Sequence, residues 1–211
     1  YSLGNGTYTY EVSAPEYETV TGSFTVAYSG TTISVTLVEK RYDVVFTLTP
    51  ADATLVVDGQ TPLADGRTFQ LTKSDNPYTY HVSAFGYQAM DGSFSVSGAG
   101  DVQNVTLTAL PTWKVRFGAI TAADGETIAP VIRLTSTDWP QQSLEAGQDG
   151  SYELPDGNYT YTISCQGYKT IRGSFTVAGV DLNLPGVELE VQTAWDGTTL
   201  TEPQKDEDGY Y

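Results

Sequence analysis

From Tyr78 to Ser83 the chain alternates: Tyr78, Tyr80 and Val82 fall on one side, Thr79, His81 and Ser83 on the other. A period of two sends successive side chains to opposite faces of an extended backbone. The run therefore predicts a half-buried β-strand, aromatic inward and hydroxyl-bearing outward. Ala84-Phe85-Gly86-Tyr87 makes the connection, and Phe94 and Val96 resume the alternation as the start of a second strand. This line, YTYHVSAFGYQAMDGSFSV, is written three times. It stands at Tyr8 to Val26 as YTYEVSAPEYETVTGSFTV and at Tyr159 to Val177 as YTYTISCQGYKTIRGSFTV. In the middle copy the identical positions are Tyr78, Thr79, Tyr80, Ser83, Tyr87, Gly92, Ser93, Phe94 and Val96. The copies lie 70 and 81 residues apart, the size of a small β-sandwich rather than of a solenoid turn. Each line thus reads as the back half of one module. The inward rows, Tyr8, Tyr10 and Phe24, then Tyr78, Tyr80 and Phe94, then Tyr159, Tyr161 and Phe175, are expected to be its repeated core.

The front halves follow the same logic. Tyr42-Asp43-Val44-Val45-Phe46 aligns with Trp113-Lys114-Val115-Arg116-Phe117 as an opening strand. TLVV and RTFQL in the middle module, and VIRLTS and YELP in the last, supply further strand patterns before the repeated line. NVTLTA and VELEVQ close the two modules. Six to seven short strands per module, with turn signals between them, predict all-β, immunoglobulin-like sandwiches in a linear tandem array. The expected boundaries are 40–110 and 111–192, with 193–211 an acidic linker or the start of a further module. Residues 1–39 carry only a back half, because YSLGNG aligns with YELPDG just ahead of the third copy. Half a sandwich has too little core to stand alone. Its completion is expected by docking on the middle module, by a strand donated from another chain, or not at all if the chain opens at a cleavage point.

Composition sharpens this picture. Fifteen Tyr, seven Phe, three Trp and thirty Thr favour pleated strands, and eight Asp-Gly pairs scatter turn signals. The net charge of −16 repels phosphate backbones and anionic lipid, which argues against nucleic-acid partners. No apolar run is long enough for membrane insertion as a helix. One Cys rules out an internal disulfide.

TPADATLVVDGQ followed by a Tyr-rich line resembles the PEGA-type surface modules. GQDGSYELPDGNYTYTISCQGY is similar to the carboxypeptidase-regulatory-like and Cna B-type repeats, whose Asp-Gly turn precedes a Tyr-rich strand pair ending in Gly-Tyr. The resemblance covers 40–192 and the half-copy at 1–39. It implies a prealbumin-like or Cna B-like fold, an extracellular place on a bacterial cell surface, and a structural role. The tail from Trp195 to Tyr211 resembles the segments that lead into further modules of such proteins. The Cna B-type resemblance also raises a Lys–Asn isopeptide bond, with Lys114 and Asn183 as the pair. Lys114, however, alternates with inward residues, and Ile163 stands where the family has its catalytic Glu.

The three copies also act as an internal alignment for candidate chemistry. Cys165 aligns with Ala14 and Ala84, a site for a small residue. His81 aligns with Glu11 and Thr162 on the outward face, so no serine, histidine and acid set can be assembled around it. The chain therefore reads as non-enzymatic, with no cofactor. Asp206, Glu207, Asp208 and Gly209 form an acidic run that reads either as a partial calcium loop or as a solvated linker. Trp139, in STDWPQQ, reads as a glycan contact or as a cap on the core of the last module. The Asn-x-Thr sequons at Asn5, Asn104 and Asn158 read as by-products of Thr-rich strands. Three functions follow: a stalk or spacer whose partners are its neighbouring modules, an adhesin module binding glycans or host surface proteins, and a filament subunit assembled by strand donation.

Overall fold

The computed structural model describes residues 1–192, and these contain strands and turns but no helix. The tail from Trp195 and the acidic run at Asp206 to Gly209 lie outside the described residues. The chain divides into two compact units, the first from Tyr1 to Ala109 and the second beginning at Leu110.

The first unit opens with a hairpin, β1 (Gly6–Val12) and β2 (Val20–Val26). Six strands follow: β3 (Arg41–Thr49), β4 (Thr54–Val57), β5 (Thr68–Thr72), β6 (Tyr78–Ser83), β7 (Met90–Phe94) and β8 (Asp101–Thr106). They form two three-stranded sheets, β5-β3-β8 and β4-β6-β7. One cluster holds them together, built on Val44, Phe46 and Leu48 from β3 and Tyr80, Val82 and Phe94 from the opposite sheet.

Among the described residues the second unit contains eight strands, more than its turn spacing predicts. They are β9 (Thr112–Arg116), β10 (Ile120–Ala122), β11 (Val131–Ser136), β12 (Tyr152–Pro155), β13 (Gly157–Ser164), β14 (Ile171–Val177), β15 (Leu182–Asn183) and β16 (Val187–Leu189). The excess arises because the chain after β9 and the chain before the exit each break once. The broken pieces β10 and β16 pair with each other in parallel. The main sheets, β12-β9-β15 and β11-β13-β14, repeat the order of the first sandwich.

The repeated line forms the same antiparallel pair each time, with Tyr8 opposite Phe24, Tyr78 opposite Phe94 and Tyr159 opposite Phe175. Two expectations need correction. Phe94 ends its strand rather than starting it, because pairing with β6 begins at Met90. Asp91-Gly92 is not a turn but lies in mid-strand. The reason is steric. Gly92 faces Tyr80 across the ladder, and a Cβ there would sit 2.3 Å from the ring. Gly22 and Gly173 meet Tyr10 and Tyr161 at 2.5 and 2.4 Å in the same way. A strand glycine here marks the close approach of a ring, not a bend. The other tyrosine of each line bonds back to the chain leading into it. Tyr8, Tyr78 and Tyr159 donate their hydroxyls to the carbonyls of Gly4, Thr72 and Pro155 at 3.0, 2.9 and 2.8 Å.

Two outcomes are expected. Gly92→Ala should drive the Tyr80 ring from its seat and destabilise the middle sandwich by about 1–3 kcal/mol, read from hydrogen exchange of the β6 and β7 amides. Gly30→Ala, where an added methyl meets nothing within 4 Å, should leave those amides unchanged. Tyr159→Phe keeps the ring but loses the bond to Pro155, at a cost of about 1 kcal/mol. In the intact protein burial, followed by the nearby charges of Asp156 and Asp138, pushes the Tyr159 hydroxyl up to about 12. Its contribution to stability is therefore complete below the ordinary tyrosine value and is lost as pH rises towards 12. Ultraviolet titration should lose its contribution near pH 12 in the variant.

Candidate functional site

The feature common to all three copies is the turn inside the repeated line, together with the chain it grips. Each turn is closed by a tyrosine amide: Tyr17 to the carbonyl of Ala14, Tyr87 to Ala84 and Tyr168 to Cys165, at 3.2, 3.2 and 3.1 Å. The same tyrosines then bridge to the chain leaving the module, at Glu39, Ala109 and Val191. The next amide along reinforces each bridge. Glu18 donates to Val38 at 2.8 Å, Gln88 to Thr108 at 2.9 Å and Lys169 to Glu190 at 2.8 Å. In the first and last copies Lys40 and Gln192 donate back, to the carbonyls of Glu16 and Gly167. The outgoing chain is thus stapled to its own module, and the repeated central Tyr marks the staple.

One position in this turn departs from its sisters. Gly86 and Gly167 have φ of 77° and 85°, and the matching residue of the first copy is Glu16, with φ of 64°. A non-glycine residue resists the left-handed region, so the surroundings must hold it there. The Glu16 carboxylate accepts a hydrogen bond from the Tyr42 hydroxyl at 2.9 Å and pairs with Lys73 Nζ at 3.3 Å. Tyr42 is the second residue of β3 and Lys73 follows β5, so this glutamate ties the hairpin to the middle sandwich. Alignment of the three copies shows Glu16 as the odd residue, but not what it holds.

The aromatic rows superpose closely in geometry. Tyr8 stacks on Phe24 at 5.7 Å, Tyr78 on Phe94 at 5.6 Å and Tyr159 on Phe175 at 5.4 Å. In the sandwiches a phenylalanine, in β3 or directly after β9, stands edge-on against this group. Phe46 lies 5.3 Å from Tyr80 and 5.4 Å from Phe94, and Phe117 lies 5.1 Å from Tyr161. Around Tyr8, Tyr10 and Phe24 no such ring stands among the described residues. There the hairpin floors an open concavity of about 990 Å³. Docking on the middle sandwich runs through the Glu16 turn and leaves the aromatic row open.

The remaining candidates are dispersed. Trp139 is half-buried in the loop after β11, with its amide bonded to Ser136 Oγ at 3.3 Å. His81 faces outward and bonds Asp91 across the strand pair at 2.7 Å. Cys165 is half-buried in the turn of the last copy. Lys114 points outward, as its alternation requires, and pairs with Asp149 and Glu153 at 3.6 Å each. Asn183 is exposed on β15 in register with Arg116, and Ile163 is fully buried. Sequence reasoning missed Asp149. The Ser151 hydroxyl and amide, helped by Lys114 and Arg116, hold its carboxyl well below the usual range. It fastens the loop before β12 to the outer face of β9. Asn5 and Asn158 use their side-chain oxygens to accept bonds from Tyr28 N and Thr176 Oγ1.

No family model matches the chain, and no curated protein matches it. Solved structures are similar to it at low identity. The Bacillus anthracis TIE protein shares 16% identity at a TM-score of 0.37, over 89% of this chain and 42% of that one. The Streptococcal ancillary pilin shares 13% at 0.37, over 90% and 76%. The shaft pilin SpaA from Lactobacillus rhamnosus GG shares 12% at 0.29, over 64% and 68%. The chain spans less than half the length of the first of these.

The Glu16 tie carries a pH signature. Hydrogen bonds from Tyr42 and then Lys73 hold the Glu16 carboxyl below its ordinary value. The tie is therefore complete above the ordinary glutamate range and is lost as pH falls through the lowered value. Ring resonances of Tyr42 should titrate with that lowered midpoint, and Glu16→Gln should abolish the titration.

Proposed function

We propose that this chain is a non-enzymatic structural segment, a stalk or spacer, of a large adhesin-like protein on a bacterial cell surface or secreted from it. The carrying observation is the staple at each module exit, where backbone bonds hold the outgoing chain against the Tyr17, Tyr87 or Tyr168 turn. A module whose exit is fixed passes its orientation to whatever follows, which a spacer needs and a flexible tether lacks. Compact-domain scaling makes each sandwich roughly 30 Å across. The outward threonines of β6 and β13 and a net charge of −16 support solubility in a crowded surface layer. Its partners on this reading are its own neighbouring modules.

Stiffness across the second staple tests the reading. Spin labels at the exposed Thr47 and Thr160 should give a narrow distance distribution by pulsed electron resonance. Gln88→Pro removes the amide that holds Thr108 and should broaden it. A distribution already as broad in the unaltered protein would overturn the spacer function.

A further inference from the structure

Two arginines of the last module stand in one row across a sheet. Arg133 of β11 and Arg172 of β14 are both in register with Thr162 of β13, the strand between them. Strand spacing sets their Cα atoms about 9–10 Å apart. Both are exposed, on the face opposite to the buried Leu134 and Ile163. Neither has a hydrogen bond or ion pair among the described residues, although acids outnumber bases in the chain by 26 to 10. The other described cations of the module are engaged, Lys114 and Arg116 with Asp149 and Lys169 with Glu190. The row belongs to this module alone. The matching positions hold Val56, His81 and Asp91 in the middle sandwich, and Glu11 and Thr21 are paired at the matching place in the first hairpin. The strands of β11-β13-β14 contain no Asp or Glu, whereas every other described sheet contains at least one. Exposed charges more than about 8 Å apart are largely screened at physiological salt. This face therefore meets a ligand as a pair of positive charges, despite the net charge of −16.

The surroundings of the row select the ligand. Thr135, Thr160 and Ser174 form the next row on the same face. Their hydroxyls, and that of Thr162, each donate and accept hydrogen bonds, as sugar hydroxyls do. A guanidinium fork offers two parallel donors to the paired oxygens of an acid group. A protein partner needs an apolar centre to bury, and this face offers only Val131. An extended acidic peptide repeats its same-face side chains every ~6.8 Å, out of step with the two arginines. We propose that the row binds a linear anionic polysaccharide, carboxylated or sulfated, laid across the three strands. One acid group meets each arginine, and sugar hydroxyls meet the threonines and the serine. The last module then carries a contact of its own, in addition to its place in the spacer.

The test uses the 211-residue chain and three polymers: polygalacturonate, which is carboxylated, dextran sulfate, which is sulfated, and neutral dextran. One or both acidic polymers should bind, more weakly as salt rises, and dextran should not. The polymer that binds identifies the acid group. Arg133→Gln and Arg172→Gln should each weaken binding about tenfold or more, with no change in thermal midpoint, because both side chains are exposed and unpartnered. Arg41→Gln removes the same charge from β3, and should leave the affinity within about twofold. Failure of both acidic polymers to bind would overturn the proposal, as would binding that survives either substitution in the row. An equal loss in Arg41→Gln would overturn it by showing a response to overall charge. Equal or tighter binding of poly-glutamate would do so by making an acidic polypeptide the occupant.

Discussion

A tyrosine ring lying flat across a strand glycine is the contact on which these modules depend. Tyr80 covers Gly92, and Tyr161 covers Gly173, because only a residue without a side chain lets the ring lie so near the backbone. With the ring down, its upper face is free for an edge-on phenylalanine. Aromatic pairs favour that geometry, and each is worth about 0.5–1.5 kcal/mol beyond the area it buries. Phe46 occupies the central strand of its sheet and Phe117 directly follows β9, the central strand of its own, so one ring sets the spacing of the two layers. Surface ion pairs such as Lys169 with Glu190 sit on the periphery of this arrangement and do not determine it.

Much of this was legible from residue order. Period-two alternation located the repeated strands, and the three-fold line identified which faces were equivalent. The outward placement of His81 and Lys114 followed from the same alternation. What the pattern hid was short range and steric. Asp91-Gly92 has the composition of a turn, yet its neighbour across the ladder is an aromatic ring, and that neighbour is ten residues away or more. The extra strands of the last module come from paired breaks in two distant segments, and neither break has a periodicity of its own. Glu16 was visible as an anomaly in the alignment, but its partners Tyr42 and Lys73 lie 26 and 57 residues further on. Asp149 looked like one more turn residue beside a glycine, although it fastens a loop to β9.

The hairpin and the sandwiches show how one sequence line behaves with and without its opposite sheet. The strand pair, the stacked ring and the tyrosine hydroxyl bond all form in the absence of a covering layer, so they are set locally. Burial is not. Tyr8 and Phe24 remain partly open where Tyr159 is 1% exposed.

The parallel pairing of β3 with β8 has a consequence for load. These are the first and last strands of the middle sandwich, and they run side by side through six residue pairs, from Val44 with Asp101 to Thr49 with Thr106. A pull on the two ends of that module draws the strands past each other along their length. The ladder bonds between them then bear tension together and must fail together, instead of parting one at a time as in a hairpin pulled open from its mouth. Parallel terminal strands thus make the sandwich a shear joint, strongest along the direction in which a tethered chain is stretched.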